Sequence, residues 1–269
     1  SAGSTLTQTI PQMKVSIVTV TYNAAEYLRS CMDSVVMQDY PDIEYIIIDG
    51  NSNDGTQDIV KSYGEKVNTF VSEPDKGIYD AMNKGIQRAT GEIVGILNAD
   101  DFYAHTGVIS KVVEAFQKEE VETVFGDLVI VDPADTDKVE RYYSGKTFKP
   151  SQVKQGHMPP HPTFFVKREL YEKYGVFNQE YHIVGDFELI TRFLHIHQAS
   201  YHHIPDVMVR MRSGGHSQGG FATTMKLNKE MLSALRNLGV KSNLPMIYSK
   251  YFFKVFQLVN RPNEPLIRQ

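Results

Sequence analysis

The sequence holds a single cysteine, Cys31. One cysteine excludes a disulfide framework and a Cys-rich zinc site, and a reducing compartment is the simple expectation. An excess of basic charge is also missing. Lys and Arg number 28 against 32 Asp and Glu, for a formal net charge of -4. No basic field is available to a nucleic acid, and none is expected as a partner. No apolar run approaches the roughly 20 residues that span a bilayer. The first twelve residues, SAGSTLTQTIPQ, lack a charged n-region and an apolar h-region, so they do not read as a secretory signal. Met13-Lys14-Val15 reads as a natural start, and part of what precedes it as an appended leader. The expected location is cytoplasmic. Neither G-x-x-x-x-G-K-[ST] nor a G-x-G-x-x-G after the first strand occurs, which excludes a P-loop and a dinucleotide fingerprint.

What is present suits one generous α/β domain with an appended C-terminal piece: 269 residues, 41% hydrophobic and 22% charged. Val15–Val20 and Tyr45–Ile48 are short, β-branched, nearly continuous apolar runs, as buried parallel strands should be. Third and fourth strands are predicted near Val67–Ser72 and over Ile93–Leu97. Between them lie helical stripes: Tyr27, Leu28, Cys31 and Val35; Ile59, Val60 and Tyr63, with Thr56 as cap; Ile78, Met82 and Ile86; Ile109, Val112, Val113 and Phe116, with Thr106 as the nearest cap. Strands alternating with helices predict a doubly wound, mostly parallel sheet.

After Val121 the pattern turns mixed. Thr123–Phe125, Leu128–Val131 and Lys138–Tyr143 read as short strands, the last two paired across Asp132-Pro133. Thr163–Val166 reads as a further strand and Phe187–Ile196 as a helix. The division is therefore 13–221 for the main domain, with halves of about 13–120 and 121–221, and a helical extension over 222–269.

In an open α/β sheet, ligands bind outside the carboxyl ends of the strands. Three polar clusters fall there: Thr21-Tyr22-Asn23, Asp49 and Asp100-Asp101. Each alone is as well explained by turn chemistry or helix capping; their convergence at one sheet edge favours a function. Two adjacent carboxylates after a buried strand suit a hard cation, Mn²⁺ or Mg²⁺, completed by substrate phosphates. His195 and His197 lie two apart in a predicted helix, face different ways and read as packing or surface residues, as do His202 and His203.

Five segments, taken together, closely resemble family 2 glycosyltransferases with the GT-A fold. They are Val15–Asn23, Ile48–Thr56, Ser72–Gly85, Asn98–Asp101 and Gly185–Glu188 with Arg192, in the family's order. Two departures stand out. The second segment reads Asp-Gly-Asn-Ser-Asn rather than Asp-Gly-Ser, and the acidic motif is Asn-Ala-Asp-Asp rather than Asp-x-Asp. The resemblance implies a nucleotide-sugar donor, with Thr21, Tyr22, Asn23 and Asp49 on the nucleoside. Asp49 would accept from the base imide N–H, so UDP is the expected carrier. Asp100 would lie near the ribose or metal, Asp101 would be the principal ligand of Mn²⁺ or Mg²⁺, and Lys76 and Asp80 would lie near the diphosphate or sugar. Asp186 would be the general base of an inverting displacement, with Glu188 as its rival; a plain helix N-cap is the alternative for Asp186.

On the acceptor side, the Pro- and His-rich stretch Gln155–Thr163 puts His161 forward, with His157 behind it. A structural role in a turn is the alternative for both. The glycine-dense stretch Ser213–Gly220 is expected to order over bound donor, bringing His216 near metal or diphosphate. The aromatic and basic stretch Lys250–Phe256 has two readings. It could pack on the catalytic domain or a second copy of the chain, as in a homo-oligomer, or lie peripherally on a membrane that presents a lipid-linked glycan acceptor. The implied activity is sugar transfer to an acceptor hydroxyl in polysaccharide or glycolipid assembly. The alternatives are a non-catalytic sugar-nucleotide or carbohydrate-binding module on the same fold, and a nucleotidyltransferase. The four aspartates argue against the first, and the lack of a glycine-rich basic loop near the N-terminus argues against the second.

Overall fold

The protein is represented by a computed structural model that describes residues 12–214 and 220–259, with side chains at all of these except 253 and 255–259. Its first part alternates as expected: β1 (Val15–Thr21), α1 (Leu28–Val36), β2 (Ile43–Asp49), α2 (Thr56–Ser62), β3 (Thr69–Ser72), α3 (Ile78–Arg88) and β4 (Ile93–Ile96). These strands run parallel in the order β3-β2-β1-β4. All seven β1 residues are buried, because helices cover both faces. Val15 and Ile17 point to the face of α1, while Val18 and Val20 point to the face of α3. Gly85 lets α3 approach closely: a Cβ there would lie 2.3 Å from Val18 Cγ1.

The chain continues through β5 (Asp101–Tyr103), α4 (Val108–Glu119), β6 (Thr123–Val131), β7 (Val139–Tyr143), β8 (Phe165–Lys167), α5 (Arg168–Tyr174), α6 (Gly185–Thr191) and β9 (Tyr201–Arg212). Strand β8 pairs antiparallel with β4, and β6 with β8, so the second half extends the same sheet. Strand β9 then runs parallel to β6, and β5 pairs antiparallel with β9. The α/β class, the parallel sheet, the mixed second half and the helical C-terminal region are all as expected.

Several local expectations are corrected. Thr123–Phe125 and Leu128–Val131 form one continuous strand, β6, with register shifts against β9 at Phe125–Leu128. Gly126 sits in that irregularity, where a Cβ would lie 2.3 Å from Met208 Sδ. The predicted pairing with Lys138–Tyr143 is present as β6·β7. Strands β5 and β9 were not predicted. The predicted Phe187–Ile196 helix starts earlier, at Gly185, and its last turn, over 192–196, is a π-helix. Thr56 does not cap α2; the N-cap is Gly55 in the left-handed region, φ 93°. Thr106 does not cap α4 either. Gln38 Oε1 instead accepts the Ile109 N–H from outside the element.

The C-terminal helices are α7 (Phe221–Asn237) and α8 (Leu244–Val259). Met231, Leu232, Ala234 and Leu235 of α7 and Ile247 of α8 join the hydrophobic cluster that contains Val18 and Val20. Among the described residues no helix is long and apolar enough to cross a membrane.

Candidate active site

Registers bring Thr21, Asp49 and Ser72 side by side at the carboxyl edge of the sheet. Asp49 is fully buried there and accepts four hydrogen bonds. Thr21 Oγ1 (2.7 Å) and Ser52 Oγ donate to Oδ1; Ser52 N (2.9 Å) and Ser72 Oγ (2.7 Å) donate to Oδ2. Burial by itself would raise this carboxyl, but the hydrogen bonds from Ser52, Thr21 and Ser72 prevail and hold it below the usual carboxylate range. About four acceptor positions is the whole capacity of a carboxylate. The expected contact between Asp49 and a base imide is therefore corrected: Asp49 clamps the ends of β1, β2 and β3. Thr21 is likewise buried in this clamp.

The loops after β1 and β2 are joined by hydrogen bonds. Asn23 N donates to Ser52 Oγ (2.8 Å), Asn53 N to Asn23 Oδ1 (3.0 Å) and Ala24 N to Thr56 Oγ1 (2.9 Å). Asn23 thus holds the loops together through its side chain. Tyr22 is different, being 70% exposed at this edge.

On the loop between β3 and α3, Asp80 Oδ2 accepts the Lys76 N–H at 2.8 Å and faces Lys84 Nζ at 3.7 Å. Asp80 fixes the entry to α3, and the Lys76 residue is exposed. That entry abuts the start of α6. Tyr79 OH donates to Ile183 O (2.9 Å), and a Cβ on Gly185 would lie 2.6 Å from the Tyr79 ring.

Asp186 is on the first turn of α6, where Val184 and not Asp186 is the N-cap. Its Oδ2 lies 3.2 Å from His161 Nδ1, and its Oδ1 accepts the Phe187 N–H at 2.8 Å. The side chain is 18% exposed, so solvent or substrate can reach it. Two residues expected on separate segments thus meet. Glu188 is only 3% exposed and pairs with Arg192 through both oxygens, at 3.1 and 3.0 Å. Arg192 also donates to the carbonyls of Tyr174, Gly175 and Val176. The expectation of Glu188 as the rival base is corrected, because its carboxylate is consumed in packing α6 onto the end of α5.

Asp101 begins β5 and is 5% exposed. Burial first, then the charge of Asp100, pushes its carboxyl up to about 7, against the pull of Arg212. No hydrogen bond to its carboxylate occurs among the described residues, and the nearby Asn98 Oδ1 is buried without a donor. Desolvated oxygens of this kind fit a hard cation. No group of three or more His, Cys, Asp or Glu is placed to hold a metal among the described residues, so ligand oxygens would complete the shell. Arg212, from the unpredicted strand β9, lies over the Tyr27 ring at 4.2 Å and the Phe102 ring at 5.1 Å and donates to Asp100 O at 2.7 Å. Only the alternation over the last four residues of β9, Val209–Arg212, hints at it in the sequence, too short to mark the strand. His216 lies outside the described residues.

The family model described as "Glycosyl transferase family 2" matches residues 16–175. The chain belongs to this family. It is a glycosyltransferase. A PGL/p-HBAD biosynthesis glycosyltransferase of Mycobacterium bovis is 29% identical over 201 residues, covering 69% of this chain and 75% of that protein. An uncharacterized glycosyltransferase of Nostoc is 34% identical over 126 residues, 46% of this chain and 39% of that one. Among solved structures, S. aureus TarS 1-349 in complex with UDP-GlcNAc has a TM-score of 0.65 at 17% identity, covering 93% of this chain and 74% of that one. The mannosyltransferase PcManGT of Pyrobaculum calidifontis, in complex with GDP-Man and Mn²⁺, has a TM-score of 0.59 at 19% identity, over 92% and 81%. At these identities the structural likeness speaks for the fold, which for this glycosyltransferase is of the GT-A type.

Proposed function

We propose that this glycosyltransferase transfers a sugar, with inversion, from a UDP sugar to an acceptor hydroxyl, and that Asp186 is the general base. The observation that carries this reading is the pairing of Asp186 with His161 at 3.2 Å, next to the α3 entry loop. An accessible carboxylate held by a second group is the arrangement expected of a base and its orienter. The acceptor oxygen forms a bond to the anomeric carbon as the bond to the diphosphate oxygen breaks. The hydroxyl proton passes to Asp186, and the electron pair leaves with the nucleoside diphosphate.

Asp101, with Asp100, would hold Mn²⁺ or Mg²⁺, which when bound neutralises charge on the diphosphate. The Mn²⁺ in the PcManGT complex and the UDP-GlcNAc in the TarS complex support this choice of ion and donor class. A glycan or lipid-linked glycan is the acceptor class we favour, in line with the biosynthetic role in the Mycobacterium bovis relative's name.

Calorimetric titration with UDP, GDP, dTDP and CMP, with Mn²⁺ and then EDTA, tests the donor site. UDP should bind tightest and lose affinity in EDTA; no binding of any nucleotide would sink the reading. Asp186→Asn should lower kcat by 10²-fold or more, the range of general-base catalysis, while leaving the Kd for UDP nearly unchanged. Retained turnover would remove Asp186 from the role.

A further inference from the structure

We propose that Asp75 reads the nucleotide base, its Oδ2 accepting the N3–H of uracil while the base lies along the Tyr22 ring. The proposal rests on the nucleotide-sugar reading above and assigns the contact that the buried, saturated Asp49 cannot make.

The position next to Asp49 is Gly50. Its backbone is not in the left-handed region, so the local conformation would admit any residue. The space would not. A Cβ there would lie 2.6 Å from Asp75 Oδ2, 3.3 Å from Asp75 Cγ and 3.3 Å from Tyr22 Cδ2. One glycine thus makes room for a carboxylate and an aromatic ring that meet around a single point of the sheet edge. Gly50 N donates to Thr21 O (2.9 Å) and Glu73 N to Asp49 O (3.0 Å), so this point is tied to the ends of all three strands.

The Asp75 carboxylate is oriented. Oδ1 accepts the Gly77 N–H at 3.1 Å, while Oδ2 has no hydrogen-bond donor among the described residues. Asp75 is only partly buried, and Tyr22 is 70% exposed. An exposed aromatic face offers stacking to any base, without discrimination. A carboxylate discriminates, because it accepts and does not donate. Uracil offers N3–H, whereas the corresponding cytosine N3 is itself an acceptor. Guanine offers two adjacent donors suited to both oxygens of a carboxylate. With Oδ1 already engaged by Gly77, one free oxygen fits the single imide of uracil better.

The test is calorimetry on the full chain with Mn²⁺, using UDP, N3-methyl-UDP, GDP and CDP against wild type, Asp75→Asn and Gly50→Ala. A lost hydrogen bond to a charged group costs about 10- to 100-fold in affinity. Wild type should bind N3-methyl-UDP weaker than UDP by that factor. Asp75→Asn should weaken UDP to a similar degree, erase the penalty of the methyl group and narrow the gap between UDP and CDP. Gly50→Ala, which crowds the carboxylate without removing it, should reduce the same discrimination, and thermal melts of both variants check that they fold. If UDP binds wild type and Asp75→Asn equally, with the methyl penalty intact in both, the assignment of Asp75 is overturned while the donor reading stands. Tighter binding of GDP than UDP to wild type would overturn uracil as the base. No nucleotide binding by wild type would overturn both readings.

Discussion

Asp186 and Glu188 lie two residues apart in α6 yet occupy different environments. Asp186 remains accessible beside His161, whereas Glu188 is enclosed and doubly bonded to Arg192. Breaking a buried ion pair strands the remaining charge and typically costs about 3–5 kcal/mol. Glu188→Gln keeps the shape and part of the hydrogen bonding, so a loss of about 2–3 kcal/mol in unfolding free energy is expected. Turnover per folded molecule should stay near wild type. Denaturant unfolding alongside kcat checks both, and a large fall in kcat with unchanged stability would restore Glu188 as a base. Asp49 shows the same principle: a carboxylate that already holds four donors orders the site instead of reading a ligand.

Among the elements, α8 carries an unusual buried cation. Lys250 is 5% exposed and donates to Asn228 Oδ1 at 2.7 Å, and burial, with a smaller push from Lys254, lowers its ammonium to about 8. An unfolded lysine titrates near 10.4. Below about pH 8 both states are charged and the cost of burying the charge is fully present. Between about 8 and 10.4 the unfolded chain binds the proton and the folded one does not, so stability rises with pH. Urea unfolding from pH 7 to 10 should show wild type gaining on Lys250→Met, by on the order of 2–3 kcal/mol. Parallel pH dependences would show that Lys250 keeps its charge in the folded state.

For the whole molecule, α7 and α8 pack into a hydrophobic cluster shared with the sheet. Glu230 of α7 accepts the backbone N–H groups of His182, Ile183 and Val184, just before Asp186. Met231, Leu232, Leu235 and Ile247 lie in the cluster that also packs β1 and α3. Each such side chain contributes about 1.5–3 kcal/mol on burial, so together they rival the roughly 5–15 kcal/mol of a typical domain. A chain ending at residue 220 should therefore lose cooperative thermal unfolding by circular dichroism. A sharp transition near that of the full chain would instead mark 222–269 as a separable extension.

Local sequence determined the class of fold and the edge of the sheet where chemistry resides. Periodicity depends only on neighbours along the chain, so the buried runs Val15–Val20 and Tyr45–Ile48 and the stripes of α1, α3 and α4 were legible. The short β5 and the long β9 were not legible, because their pairings are between segments far apart in sequence and β9 carries histidines, a proline and arginines within its run. The same limit governed the site. Sequence brought Thr21, Asp49 and Asp101 to one edge, and resemblance singled out Asp186. Only tertiary packing decided which carboxylates are free: donors converge on Asp49, Arg192 closes on Glu188, and Asp75 comes to rest over Gly50 beside Tyr22. Whether an oxygen is spent or available depends on what folds against it, and that is settled in three dimensions.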